Sequence, residues 1–588
     1  MAPNSITIFR STTMTGNTHF PYQDPTLSPE QRADDLLTRM DTQDKAGLMF
    51  HPRGGHAGLD QPSVFDTPST KELVHRRINH FNTLQGGSAR AMAEWHNSAQ
   101  SAALSLPLGI PVTFSTDPRH SFGYNPGTSL RTSAFSQWPE FLGFGAIDDV
   151  ELTRAYADTV RREYLAVGIR VSLHPQIDLA TDSRWARAVG TFGESADVAA
   201  RHGVAYVEGL QGEQVGADSV SAMAKHFPGG GPQKDGEDPH FSYGREQIYP
   251  GGQFELHLGP FKAVIAAGVA QLMPYYGMPI GLEYEEVGFG FNAGIIDGLL
   301  RGELGFDGIV CADWSILSRN YWGVEGLTYA ERMVKAIEAG VDQFGGETDV
   351  DALVQLIASG RITEARIDRS ARRLLIEKFR LGLFESPYVD ADQAERIVGI
   401  PSDREAGIRA QALAITPLVN REGAAHLPLA RGIAVFSEGI DTDQLATYAR
   451  IVDSPAEADV AIIRLAAPWD PRGQAGTLES YFHAGSLEFA PETRAHIEEI
   501  ARSVPTVIDV YLDRPAILAP LVDLAHSLTV DFGAGDEALL QVIFGEVVPT
   551  GTLPFDVPSS MAAVSESRPD VPFDTTAPTF RFGDGLVL

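Results

Sequence analysis

The stretch GELGFDGIVCADWSIL, Gly302–Leu317, decides the fold. Within it Gly308–Ala312 is a short apolar run headed by a glycine, with the helix-like segment Asn292–Glu303 before it and a loop after it. A run of that length, bounded in that way, predicts a buried parallel strand. Asp313 stands just past the end of the strand, with Trp314 beside it. A carboxylate next to an indole at such a place suits a sugar site, where the acid does chemistry and the ring stacks on a sugar face. A strand-end Asp also serves as the cap of a following helix. The stretch by itself leaves both open.

Working outward, short apolar runs alternate with helical segments from about residue 28 to residue 385. Strands are expected at Ile110–Ser115, Gly168–Leu173, Val220–Ala224, Val269–Met273, Gly308–Ala312 and Gly340–Phe344. Helices are expected at Asp148–Ala166, Asp197–Gln211, Gln253–Ala267 and Ala330–Ala339. The alternation argues for β/α units, and their number fits a TIM-like (β/α)8 barrel better than a small open sheet. Asp117, His174, the pair Lys225 and His226, Tyr276 and Asp313 each follow a different expected strand, the end at which barrel enzymes build their sites. Their convergence favours a functional Asp313 over a capping one.

The tract 386–405 is rich in Pro, Asp and Ser and reads as a linker between a catalytic domain, 1–385, and a second α/β domain of sandwich type, 406–588. In the second domain strands are expected at Gly432–Phe436, Ala458–Leu465, Thr506–Leu512 and Ser527–Asp531, with helices at Pro491–Ala501 and Asp536–Phe544. DFGAGD, Asp531–Asp536, lacks the full phosphate-binding fingerprint and reads as a structural glycine turn.

The chain has 588 residues, 43% of them hydrophobic and 21% charged, which suits two globular domains. A formal net charge of −31 argues against nucleic acid or an anionic membrane surface as a partner. The single cysteine, Cys311, rules out an intrachain disulfide framework and a thiolate zinc cluster, and its place inside a strand makes it a core residue. The opening MAPNSITIFRSTTMTGNTHF shows no basic start followed by an apolar run, and no stretch approaches the ~20 apolar residues of a membrane helix. The expectation is a soluble, cytoplasmic protein, with export by another route left open.

KHFPGGG, Lys225–Gly231, ends an expected strand in two hydrogen-bonding side chains on a sharp turn, a fit for neighbouring sugar hydroxyls. Together with GFDGIVCADW it strongly resembles glycoside hydrolase family 3, and the resemblance runs through nearly the whole chain. LGIPVTFSTDPRH (Leu108–His120) looks like the block whose Asp binds the non-reducing sugar, which points to Asp117. The segment Ala166–Ser195 is similar to the block holding Pro-x-x-Asp, Arg-Trp-x-Arg and Phe-Gly-Glu, and puts Arg187 at the sugar-binding arginine. LMPYYG places Tyr276 beside the nucleophile, and Asp313 matches the nucleophile, with Trp314 following it. NREGAAHLPL, FGEVVPTGTLPFDVP and the terminal RFGDGL look like blocks of the second domain, in the two-domain layout of the exo-glucosidases. The sequence departs from the family where Gly190 stands in place of an acidic residue, where Cys-Ala-Asp-Trp replaces Ser-Asp-Trp, and in the long loop Gly231–Gly251.

The resemblance implies a retaining β-glycosidase, most simply an exo-acting β-glucosidase on a small β-glycoside, without metal or organic cofactor; a homodimer is compatible with it. Double displacement needs a nucleophile, Asp313, and an acid/base. Family members of this layout draw the acid/base from a second-domain loop, and Glu479 in GQAGTLESYFHAGSLEF is the best-placed carboxylate. The β-N-acetylglucosaminidase branch instead uses an Asp-x-His dyad, for which Asp238 and His240 are the candidates; Trp314, where that branch has a second acid, weighs against it. A sugar-binding protein without catalysis is the remaining alternative.

Overall fold

The computed structural model describes residues 20–55, 58–64 and 67–588. The reading of the chain's first residues therefore falls almost wholly outside the described part. Eight parallel strands form the first sheet. They are β1 (Phe50–His51 and Arg53–Gly54, two halves on either side of Pro52), β2 (His80–Thr83), β3 (Thr113–Thr116), β4 (Ile169–Ser172), β5 (Ser221–Phe227), β6 (Gln271–Pro274), β7 (Ile309–Ala312) and β8 (Gln343–Gly345). One half of β1 pairs with β8 through Phe50 and Phe344, and the other with β2 through Arg53 and Asn82, so the ring closes on itself. The (β/α)8 barrel expected from the sequence is what forms.

Each strand is returned by a helix over the outside. Ala89–Leu104 leads to β3, Val150–Val167 to β4, Ala196–Gln211 to β5, Phe254–Ala266 to β6, Gly294–Glu303 (wound in π turns) to β7 and Tyr329–Ala339 to β8. Local chemistry sets their ends. Asp149 caps Val150–Val167 by accepting from Glu151 N and Leu152 N, and Gly168 at φ +90° stops it. Thr328 and Glu331 form a reciprocal capping box for Tyr329–Ala339, and Gly340 at φ +115° ends it. Their buried faces join the strands in one continuous core that includes Phe50, Phe81, Phe114, Ile169, Leu272, Val310 and Phe344. Cys311 is buried in the barrel interior, as expected.

The second sheet contains β9 (Thr416–Asn420), β10 (Ala434–Glu438), β11 (Arg450–Ile451), β12 (Val460–Ala466), β13 (Thr506–Tyr511) and β14 (Ser527–Asp531) in the order β9-β14-β13-β12-β10-β11. Only β9 runs antiparallel to its neighbour. DFGAGD is a structural turn: Asp531 Oδ1 accepts from Gly533 N and Ala534 N at 2.8 Å each. The tract read as a linker is not irregular. It carries the helix Ala391–Ile397 and the start of Pro401–Ala414, because Ala394 and Ala410 are buried in the barrel core and Ala412 in that of the second sheet.

The two sheets share a packed junction. Leu142 and Ala146, from a helix of the barrel region, lie in one cluster with Ile508, Val510 and Val530. Glu194, buried, accepts from Phe573 N at 2.6 Å and Asp556 N at 3.2 Å. Among the described residues no helix is long and apolar enough to cross a membrane.

Candidate active site

At the C-terminal mouth of the barrel, a cavity of about 220 Å³ is lined by Asp117, Arg187, Lys225, His226, Tyr276, Asp313 and Trp314. These seven sequence candidates are therefore brought together. Asp313 lies at the end of β7 with Oδ1 accepting from Trp314 N at 2.7 Å. Its Oδ2 is buried with no hydrogen-bond donor among the described residues; the nearby Tyr276 hydroxyl is given to Trp314 O at 2.8 Å. Burial, with Asp313 adding to it, raises Tyr276 well above the ordinary phenol range, so it stays protonated.

Opposite, Lys225 Nζ lies 3.2 Å from Asp117 Oδ1, and Asn82 Nδ2 donates to Asp117 Oδ2 at 3.1 Å. Burial lowers the Lys225 ammonium, while Asp117 and Asp313 work against that shift. His226 is held well below the usual imidazole range, first by burial and then by Arg187, so its ring is neutral. Its Nδ1 donates to Asp178 Oδ2 at 2.7 Å, which leaves Nε2 as an acceptor 3.9 Å from Asp313 Oδ2. Arg187 Nη2 donates to Gln176 Oε1 at 3.0 Å. Gly190 makes room for that contact, since a Cβ there would stand 2.4 Å from Gln176 Oε1. With glycine at 190, a glutamine reaches over from 176 and holds the arginine. The indole of Trp314 fits because residues 345 and 346 are glycines, where a Cβ would come within 2.7 Å and 2.9 Å of it.

Two expectations change. His174 does not reach the cavity. It is buried against Phe141 with Nδ1 on Leu173 O at 2.6 Å, and Leu173 lines the cavity instead. Glu479 sits just outside, on the turn Leu478–Tyr481: Leu478 lines the cavity, while the Glu479 carboxylate accepts from Tyr243 Oη at 2.6 Å. His240, the rival, does line the cavity. Its Nδ1 is 2.6 Å from Asp238 Oδ1, and Asp238 Oδ2 also accepts from Trp185 Nε1 and Tyr275 Oη at 3.0 Å each. Burial alone would raise Asp238, but His240 and Arg187 hold it below the usual carboxylate range.

Arg53, Arg319, Asn320 and Phe241 also line the cavity and are not singled out by the sequence. Arg53 carried a readable signal, a cation before Gly54-Gly55 at a strand end, the same pattern as Lys225-His226 before its glycines. The cavity lining carries four basic side chains, Arg53, Arg187, Lys225 and Arg319, around two acidic ones, Asp117 and Asp313, in a chain of net charge −31.

The sequence of residues 76–376 matches the model of the glycosyl hydrolase family 3 N-terminal domain. The chain belongs to glycosyl hydrolase family 3. It is 45% identical over 581 residues to Beta-glucosidase C of Emericella nidulans, covering 96% of this chain and 93% of that one. It is 41% identical to a periplasmic beta-glucosidase/beta-xylosidase of Dickeya chrysanthemi, over 96% and 91% of the two chains. The fold is also that of a β-glucosidase from Erythrobacter marinus, with a TM-score of 0.80 at 22% identity, covering 96% of this chain and 84% of the other.

Proposed function

We propose that this family 3 enzyme is a retaining, exo-acting β-glucosidase. The observation that carries the reading is Asp313, buried with one carboxylate oxygen unpartnered, facing Lys225, His226, Arg187 and Asp117 in a single small cavity. The sugar ring is held by Asp117 and its partners Lys225 and Asn82, and by Arg187 and the acceptor Nε2 of His226, against Trp314. Asp313 attacks the anomeric carbon as Glu479 gives a proton to the departing oxygen. Water then gives its proton to Glu479 and attacks the same carbon, releasing glucose with its configuration retained. The acid/base thus comes from the second domain, 406–588, and the nucleophile from the barrel.

One observation favours a second assignment of the acid/base. His240 lines the cavity and is paired with Asp238, whereas the Glu479 carboxyl is turned to Tyr243. The dyad would make the enzyme a β-N-acetylglucosaminidase. A panel of nitrophenyl β-glycosides (glucoside, xyloside, N-acetylglucosaminide), with the product anomer read by proton NMR, tests the function. Preferred turnover of the glucoside to β-glucose supports it; preference for the N-acetylglucosaminide, or no turnover at all, overturns it.

A further inference from the structure

The loop Gly231–Gly251 departs from the family pattern, and the structure shows what it touches. Running up from the end of β5, it meets the second-domain segment 472–482 beside the cavity. Glu237 pairs with Arg472, whose Nη2 is 2.9 Å from Glu237 Oε1. The Arg472 guanidinium lies 5.6 Å from the centre of the Tyr243 ring. Tyr243 stacks on Phe241 at 5.5 Å and 18°, and His240 and Phe241 pack on Phe482 at 4.9 and 5.3 Å. From the other side Asn125 Nδ2 donates to Tyr481 O at 3.0 Å, and a Cβ at Gly127 would stand 2.7 Å from Leu478. The short turn carrying Glu479 is therefore gripped by barrel loops on both flanks, and its own carboxyl is fixed by the Tyr243 hydroxyl.

We propose that Tyr243 is the positioning residue for Glu479, and that the loop Gly231–Gly251 is the cradle through which the barrel sets the acid/base of the second domain. This rests on the reading of Glu479 as acid/base. The chemistry is consistent in both protonation states. A hydroxyl that donates to Oε1 leaves Oε2 to carry the proton toward the glycosidic oxygen and later to take it from water, and Tyr243 itself neither gains nor loses one. Partial burial, and then the hydrogen bond to Glu479, raise the Tyr243 phenol well above its ordinary value, so it remains a donor throughout the working range. An unrestrained glutamate has three side-chain torsions to order before it can act; the hydrogen bond orders them beforehand.

Tyr243→Phe in the full chain removes the hydroxyl and keeps the ring stack. The kcat/KM for an alkyl β-glucoside, whose leaving group must be protonated, is expected to fall about tenfold, while that for 2,4-dinitrophenyl β-glucoside changes less than twofold. An unchanged melting temperature excludes unfolding as the cause. Equal losses on both substrates would mean a structural role, and no loss on either would remove the role altogether; both overturn the proposal. Glu479→Ala assayed with azide separates the two layers. Azide rescue at Glu479 with an indifferent Tyr243→Phe sinks the positioning role alone, whereas absence of rescue sinks the acid/base reading and the positioning role with it.

Discussion

His226 Nδ1 stands 2.7 Å from Asp178 Oδ2, and both side chains are buried. The other oxygen of Asp178 accepts from the backbone N–H of His226 at 3.0 Å and of Gly230 at 2.6 Å. One carboxylate therefore fixes the ring, its tautomer and the glycine turn of KHFPGGG. Burial pushes Asp178 up to about 6, with the two N–H bonds opposing, so it is ionised at neutral pH. Asp178→Asn keeps the shape but offers an amide where Nδ1–H needs an acceptor. A loss of about 10–100-fold in kcat/KM on glucosides is expected, the range for a hydrogen bond to a charged group. Near-native kinetics would mean that the tautomer of His226 is of no consequence.

Arg187 and Gln176 make the second prediction. Gly190→Ala puts a methyl where Gln176 Oε1 now lies, and the flexible amide swings away from Arg187. Both Gly190→Ala and Gln176→Ala should lower kcat/KM about tenfold, and the double variant should lose little more, because the two act through one contact. Strictly additive losses would show that Gly190 matters for another reason.

Most of the barrel was readable because its central strands are apolar runs between helices with clear caps. β1 and β2 were not. FHPRG is split by a proline and HFNT is half polar, so neither carries a strand period, and only pairing with β8 and β3 identifies them. The same holds for the site. Residues at the ends of readable strands were found, whereas Arg53 lies on an unreadable one. Arg319 and Asn320 lie on a loop shaped by Glu347, which accepts from Leu317 N and Ser318 N at 3.0 Å each. Gln176 could not be seen as the partner of Arg187, since the contact depends on the space that Gly190 leaves.

The domain junction should respond to pH. Burial raises Glu194 to about 8 and Glu140, whose backbone N–H donates to Phe532 O across the junction at 2.9 Å, to about 7, both from 4.5. A carboxyl whose folded pKa is raised binds its proton more tightly folded than unfolded. Its ionisation therefore takes stability away as pH rises from about 4.5 to about 8, and nothing is lost below that window. Melting temperatures between pH 5 and 8.5 should fall less steeply for Glu194→Gln than for the native chain. Parallel curves would place the titration elsewhere.

Glu479→Ala should slow substrates with poor leaving groups most. Activated aryl glucosides should keep a fast first step and then stall, until azide restores turnover and yields β-glucosyl azide, because azide needs no base. His240→Ala should show no rescue. The reverse pattern would hand the acid/base role to the Asp238–His240 pair.

The nucleophile is tested most directly by trapping. A 2-deoxy-2-fluoro β-glucoside with a good leaving group should inactivate the enzyme one-to-one and leave its sugar on the peptide that contains Asp313. Asp313→Ala should be folded, slower by several orders of magnitude and unlabelled. Label on a different carboxylate, with Asp313→Ala still active, would contradict the account.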